Sequence, residues 1–312
     1  MTAAPVAARP RTTAPAPGCA TVARTLGESP EGTATPMRSW LLIEHPEAWS
    51  HDVADRILHG ALPPARLHEL AELRRRHGLR PLLARRPGFR VGPRDRRTVL
   101  VGSAHPGRRW LERLELTDLR ELGDLDLAAV AAGTGGLGDP VTGSVFGVCT
   151  HGAKDMCCAT LGRPVARALA EAAPGQVWET THLGGDRFAG NVLVLPDGFL
   201  SGHVSVSSAG ALAAAAAAGR VLPDLLRGRT SVGMRAQVAE IAVRRVTGLQ
   251  GLDDVEPLGE DPATGLQAVR AGGRRIGVRL GRHPLGVCGT SRCAGSTSPC
   301  AYSVDELVDL PT

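Results

Sequence analysis

The sequence predicts an α/β protein: an α+β sandwich on a thioredoxin-like core, preceded by either a second copy of that core or a supporting α/β layer and followed by a small C-terminal α+β appendage. Three observations carry this prediction. Residues 141–226 read as strand, helix, strand, glycine-rich loop, two strands and a helix, the order of a small mixed sheet with helices on both faces. The first half has a similar rhythm. After residue 231 the pattern changes to one amphipathic helix followed by short strands.

In chain order, residues 1–18 ("MTAAPVAARPRTTAPAPG") are rich in Pro, Ala and Thr and lack the apolar core of a signal peptide, so they predict a disordered tail. Residues 19–135 predict a first domain. "RSWLLIEHP" reads as a strand, residues 51–59 and 65–77 as helices, and "LRPLLAR", "RRTVLVGS" and "RRWLERLEL" as strands; "TDLRELGDL" reads as a helix. This half is either a second copy of the core that lost its cysteines or an unrelated supporting α/β layer. The Gly/Pro-rich stretch 129–143 predicts a linker. Residues 141–230 predict the central domain: strand 141–149, helix 158–172 ended by Pro174-Gly175, strand 176–180, loop "HLGGDRFAG", strands 191–195 and 199–204, and an alanine helix 208–226. Residues 231–312 predict the appendage, opened by a helix over 234–246.

Composition narrows the function classes. The chain of 312 residues has a net charge of +5, but Lys154 is its only lysine, and the arginine runs 74–76 and 94–97 carry no interleaved aromatics for base stacking. Nucleic acid is therefore not the expected partner. No apolar run reaches membrane-span length, and Ala209–Ala218 reads as a packed helix, so no membrane association is expected. Without an export signal the expected compartment is the cytoplasm, where clustered cysteines point to metal or redox chemistry more than to structural disulfides. No phosphate-binding glycine motif predicts a nucleotide cofactor.

The chemistry concentrates in "VCTHGAKDMCCATLGRP" and "HLGGDRFAGN". Cys149 ends a strand, and Cys158, with eight residues between, starts a helix whose free N–H groups stabilise a thiolate. His182 and Asp186 flank Gly184-Gly185, which lets backbone approach a bulky group closely. Two donors from each of two loops is a common way for a fold to close around zinc or a cluster. Arg187 is a candidate for presenting charge to a partner, Asn191 for tying the loop backbone down, and Lys154 with Asp155 for organising the first loop.

These motifs, with "GCATVARTLGESPEGTA" (residues 18–34) and "SWLLIEHPEAW" (residues 39–49), resemble the sucrase/ferredoxin-like family, whose core is similar to thioredoxin-like ferredoxins. The resemblance implies a 2Fe-2S cluster held by two cysteines and two histidines. The cysteines carry over to Cys149 and Cys158 and the first histidine to His182. The second histidine falls on Asp186, a departure that similar bacterial members often share. The fourth ligand is then Asp186 or the softer Cys157. The family does not use His151 as a ligand, which leaves it to donate an N–H to sulfur.

The implied function is one-electron transfer to a redox partner protein, a reductase or oxidase, or redox sensing. The chain is then an electron carrier rather than a stand-alone enzyme. Two other readings compete. One is a cofactor-free thioredoxin-like thiol oxidoreductase, although Cys157 and Cys158 are adjacent where Cys-x-x-Cys would be expected. The other is a zinc-stabilised interaction module. Glycoside hydrolysis is not expected, since the motif region lacks a carboxylate pair. His283, Cys288, Cys293 and Cys300 could close a second metal site, but their spacings do not match a zinc knuckle. Cys19 stands alone near the tail and is expected to pack.

Overall fold

Runs of Leu, Ile and Val set the strands. In the computed structural model, which describes residues 18–88, 95–284 and 300–311, a short helix α1 (Cys19–Thr25) leads into β1 (Ser39–Glu44), buried along its whole length. Helices α2 (Val53–Ala61) and α3 (Pro64–His77) return the chain to β2 (Leu79–Arg85). Strands β3 (Arg97–His105) and β4 (Arg108–Leu116) form a hairpin, and α4 (Leu127–Ala131) and the short β5 (Asp139–Pro140) follow. The second half contains β6 (Val145–Cys149), α5 (Met156–Ala172), β7 (Val177–Thr180), β8 (Val192–Leu195), β9 (Phe199–Ser201), α6 (Val206–Ala217) and β10 (Leu226–Arg229).

All of these strands join one ten-stranded mixed sheet, ordered β10-β9-β8-β6-β7-β2-β1-β3-β4-β5. Its pairing is the same in each half. β1 is parallel to β2 and antiparallel to β3, which is antiparallel to β4. β6 is parallel to β7 and antiparallel to β8, which is antiparallel to β9. Each set has its helical crossover between the two parallel strands and another helix after its fourth strand. The sets meet where β2 and β7 pair antiparallel, Ala84 opposite Thr180 and Arg85 opposite Glu179. The similar rhythm of the two halves is thus a topological duplication.

The helices pack on the sheet through two buried groups. One joins Leu41, Ile43, Val99 and Val101 to α2, α3 and α4. The other joins Phe146, Val148 and Val192 to α5 and α6. A third buried group covers the remaining sheet surface and contains Trp40, Leu82, Trp178 and Leu183 together with Cys149 and Cys158.

Three expected elements differ. The alanine helix stops at Ala217 rather than residue 226, because Gly219 turns the chain with φ +64° and Leu226 is needed to pair with β9. The stretch 129–143 is not a free linker. The Glu112 carboxylate accepts the N–H groups of Gly136, Leu137 and Gly138 at 2.7, 2.7 and 3.1 Å, and β5 pairs with β4. "TDLRELGDL" forms only a short 3₁₀ turn, Leu119–Gly123, capped by Asp118. Residues 1–17 of the expected tail lie outside the described residues.

The C-terminal part lays α7 (Met234–Thr247) on an antiparallel sheet of β11 (Val255–Glu260), β12 (Gln267–Ala271), β13 (Arg274–Pro284) and β14 (Cys300–Leu310). Ala239 and Val243 meet Val255, Val269, Ile276 and Val278. The buried Glu240 accepts from Arg244 on its own helix at 3.0 Å and from Arg229 of β10 at 2.9 Å, tying this part to the large sheet. Of the second cysteine group, Cys288 and Cys293 lie outside the described residues, and His283 Nε2 is 2.7 Å from Ser303 Oγ. Among the described residues no helix is long and apolar enough to cross a membrane.

Gly162 of α5 faces the end of β6, and a Cβ there would run into the Cys149 carbonyl. Gly162→Ala should therefore cost about 1–3 kcal/mol by overpacking. Gly210→Ala in α6, with open space around it, should stabilise by about 0.5–1 kcal/mol. Chemical denaturation of the two variants checks both; equal effects would contradict the packing of α5 on β6.

Candidate metal centre

β6 alternates as a strand must: Phe146 and Val148 face α5 and α6, while Val145 and Cys149 face the opposite buried layer. The loop after Cys149 is pinned by the Thr150 N–H to Thr180 carbonyl bond at 3.1 Å. Thr150 Oγ1 also donates to Glu179 Oε2 at 3.1 Å, and that carboxylate pairs with Arg85 at 2.9 Å across the seam between the halves. Asp155 then starts α5 by accepting the Cys157 N–H at 2.8 Å. Successive helical residues point about 100° apart, so Cys157 and Cys158 diverge. Cys158 turns inward toward Cys149.

The second loop leaves β7 at Thr181, whose hydroxyl accepts the Leu83 N–H at 3.0 Å. Gly184 and Gly185 have φ +86° and +72°, which favours glycine. Side chains there would also collide with Thr35 and with the Arg227 guanidinium. Arg227 is wholly buried in this cradle. It donates to the Gly184 carbonyl at 2.7 Å, Asn191 Oδ1 at 2.9 Å and Thr33 Oγ1 at 3.0 Å, and also to the Thr33 carbonyl. Asn191 in turn donates to the Gly185 carbonyl at 2.9 Å, the tie its position suggested.

The two loops bring the donor atoms of Cys149, Cys158 and His182 within 4.8 Å of one another. Asp186 Oδ1 is 3.1 Å from Cys158 Sγ and 3.0 Å from His182 Nδ1. The Asp186–imidazole approach is close, yet it lies off the hydrogen-bond direction and leaves that buried nitrogen without a hydrogen-bond partner. The contact with Cys158, opposed by burial and helped by His182, holds Cys149 well below the usual thiol range. Cys158 is pushed far up, chiefly by the Cys149 sulfur beside it and by burial. Burial would lower His182, but Asp186 and Cys149 outweigh it and raise the imidazole to about 9. Burial likewise opposes ionisation of Asp186, and His182 overcomes it and keeps the carboxyl low.

Two thiols and an imidazole, with one sulfur already favoured as thiolate, form a donor set that suits a soft metal or an iron–sulfur cluster, and the harder Asp186 carboxylate lies beside them. A buried imidazole nitrogen lacking a partner, beside a loop kept open by two glycines, fits the same use.

Of the expected site residues, Cys149, Cys158, His182 and Asp186 are thus brought together, and Cys157 is not. Its sulfur lies 3.8 Å from Cys19 Sγ, in a separate group with Asp155. His151 makes no bond to sulfur; its Nε2 is 2.8 Å from the Ser50 carbonyl. Arg187 is engaged by Glu28 rather than offered outward. Asp155 organises the first loop as a helix cap. Two residues escaped the sequence reading. Arg227 was hidden by extending the alanine helix through Leu226; the pattern "LRGR" after Pro223 was the available signal. Cys19, expected to pack, is buried, but nothing local pointed to its partners Asp155 and Cys157, more than a hundred residues away.

The family described as Sucrase/ferredoxin-like matches residues 30–228. Neither a curated protein nor a solved structure matches the chain.

His182 supplies a pH prediction for protein prepared without metal. Its folded value, about 9, lies above the unfolded value of about 6.5. Its contribution to stability is therefore complete below the unfolded value and is lost as pH rises through the folded one. An NMR titration should show the His182 ring titrating near the folded value, and Asp186→Asn should lower its midpoint. An unshifted midpoint in that variant would remove Asp186 as the cause.

Proposed function

The chain belongs to the sucrase/ferredoxin-like family, and from that premise we propose that it is an iron–sulfur electron carrier. Cys149, Cys158, His182 and Asp186 would hold a 2Fe-2S cluster. The observation that carries this reading is the convergence of two thiols and an imidazole within 4.8 Å, with Asp186 in contact with both kinds of donor. Asp186 is favoured over Cys157 as the fourth ligand because Cys157 stands in the other group.

When bound, such a cluster takes up and returns one electron. The chain's own residues exclude water from the sulfurs and set the electrostatics. Cys149 and Cys158 are buried in an apolar layer with Trp40, Leu183 and Leu193. Arg227 places a buried positive charge beside anionic donors, which favours the more negative, reduced state. His182 is the partly exposed edge of the site. With one ring nitrogen as a ligand, the other carries a proton that can leave as pH rises. Histidine ligation also raises the potential relative to all-cysteine sites.

His182 opens into a cleft of about 130 Å³ lined also by His151, Lys154, Arg74 and Arg80, with Asp52 and Asp55. The Arg80 guanidinium donates to the His182 carbonyl at 3.4 Å. A redox partner protein would dock over this cleft, where the partly exposed His182 brings the site to the surface.

Protein purified without oxygen should be brown and hold about two irons and two acid-labile sulfides per chain, as a 2Fe-2S centre requires. Cys149→Ala and Cys158→Ala should lose them, Cys157→Ala should keep them, and Asp186→Ala should yield a less stable centre. A colourless chain after reconstitution with iron and sulfide would overturn the proposal. The reduction potential should fall with rising pH, and His182→Cys should flatten that dependence; an equally steep slope in a loaded His182→Cys protein would refute the proton account.

A further inference from the structure

Outside the centre described above, a second set of donors converges on the other side of the α5 N-terminus. Cys19, the first residue of α1, places its sulfur 3.8 Å from Cys157 Sγ and 3.6 Å from Asp155 Oδ2. One donor atom from each of the three residues lies within 4.8 Å of the other two. Cys19 and Asp155 are buried, and Cys157 is half-buried. Cys19 falls before the matched stretch 30–228, while Asp155 and Cys157 lie within it.

The distances exclude a disulfide, and they fit both thiol hydrogen bonds donated by Cys19 and a bound metal ion. A disulfide needs its sulfurs about 2.05 Å apart, and these are 3.8 Å apart. Zinc binds thiolate at about 2.3 Å and carboxylate oxygen at about 2.0–2.2 Å, in tetrahedral sites. The edges of such a tetrahedron are about 3.8 Å between two sulfurs and about 3.6 Å between sulfur and oxygen. Those are the spacings of Cys19 to Cys157 and of Cys19 to Asp155.

The surroundings prepare the same arrangement. Asp155 spends Oδ1 on the Cys157 N–H at 2.8 Å, which fixes the carboxylate and leaves Oδ2 turned to Cys19. Gly18 allows the close approach of α1, since a Cβ there would sit 2.6 Å from Cys157 Sγ. The N-terminal end of the seventeen-residue helix α5 favours the negative donors.

We propose that Cys19, Asp155 and Cys157 bind one zinc ion, with a fourth position on the exposed side of Cys157 open to water or an exogenous ligand. Binding exchanges the two thiol protons for the metal and releases them to solvent; no electron is transferred. The ion staples α1 to the start of α5. Because α1 also reaches the second loop, with Arg24 donating to the Ala189 carbonyl at 2.8 Å, the staple holds the start of α5, which carries Cys158, together with the loop that follows His182.

The test uses the full chain, reduced and stripped of metal, with cobalt(II) as the probe. Wild type and Cys149→Ser should both develop thiolate-to-cobalt charge-transfer bands that zinc displaces. Cys19→Ser and Cys157→Ser should each lose one metal equivalent per chain while keeping the wild-type circular dichroism. Asp155→Asn, which can still cap α5, should bind cobalt more weakly. Iron and sulfide contents of the same variants report the other centre independently. Cobalt stoichiometry and spectra unchanged in Cys19→Ser and Cys157→Ser would overturn the proposal. So would cobalt bands that vanish entirely in a folded Cys149→Ser chain, or a Cys19–Cys157 disulfide that persists under reductant.

Discussion

The buried guanidinium of Arg227 is the constraint on which the centre depends. Burying a charge costs several kcal/mol unless hydrogen bonds and opposite charge offset it. Here the offset comes from the Gly184 and Thr33 carbonyls, the Thr33 hydroxyl and Asn191, and from anionic character at Cys149 and Asp186. Its planar fork satisfies several acceptors at once, which a lysine could not do. The consequence is a loop held at the distance where His182 and Asp186 meet the two sulfurs. Gly184 and Gly185 are required by the same packing, because any side chain would occupy the guanidinium's place or that of Thr35.

The duplicated sheet explains why the loops converge. In each half the first strand ends beside the parallel strand that follows its helical crossover, so the two C-terminal strand ends lie next to each other. In the second half these ends carry Cys149 and Thr180, and the donors follow immediately. In the first half the matching end carries Glu44, which accepts the Thr98 N–H at 3.0 Å and serves the sheet instead. One topology thus supports chemistry in one half and packing in the other. The seam contributes as well, since Arg85 from the first half supports Glu179 and, through it, the loop after Cys149.

Much of this was legible in the residues. The period of the apolar positions located most strands within a residue or two, and "CTHGAKDMCC" with "HLGGDRFAGN" located the centre. Three things were not legible, for physical reasons. Alanine favours helix so strongly that the run ending at Ala218 outweighed Gly219 and Pro223 as stop signals and carried the expected helix on to Leu226, where the chain instead pairs with β9. The glycine-rich segment 129–143 looked like a linker because the acceptor for its N–H groups, Glu112, is distant in sequence. Cys157 and Cys158 were indistinguishable as neighbours in sequence, although the helical turn sends them to different groups. Only the fold reveals that Cys19 is the partner of Cys157.

The central claim is that an imidazole from the second loop joins thiolates from the first around an iron–sulfur centre. Pulsed electron paramagnetic resonance of the chemically reduced protein tests it most directly, with isotopically labelled histidine to identify the nucleus. The account predicts a nitrogen strongly coupled to the unpaired electron, changed by the label and absent in His182→Cys. A reduced centre with no strongly coupled histidine nitrogen, or one unchanged by His182→Cys, would contradict it.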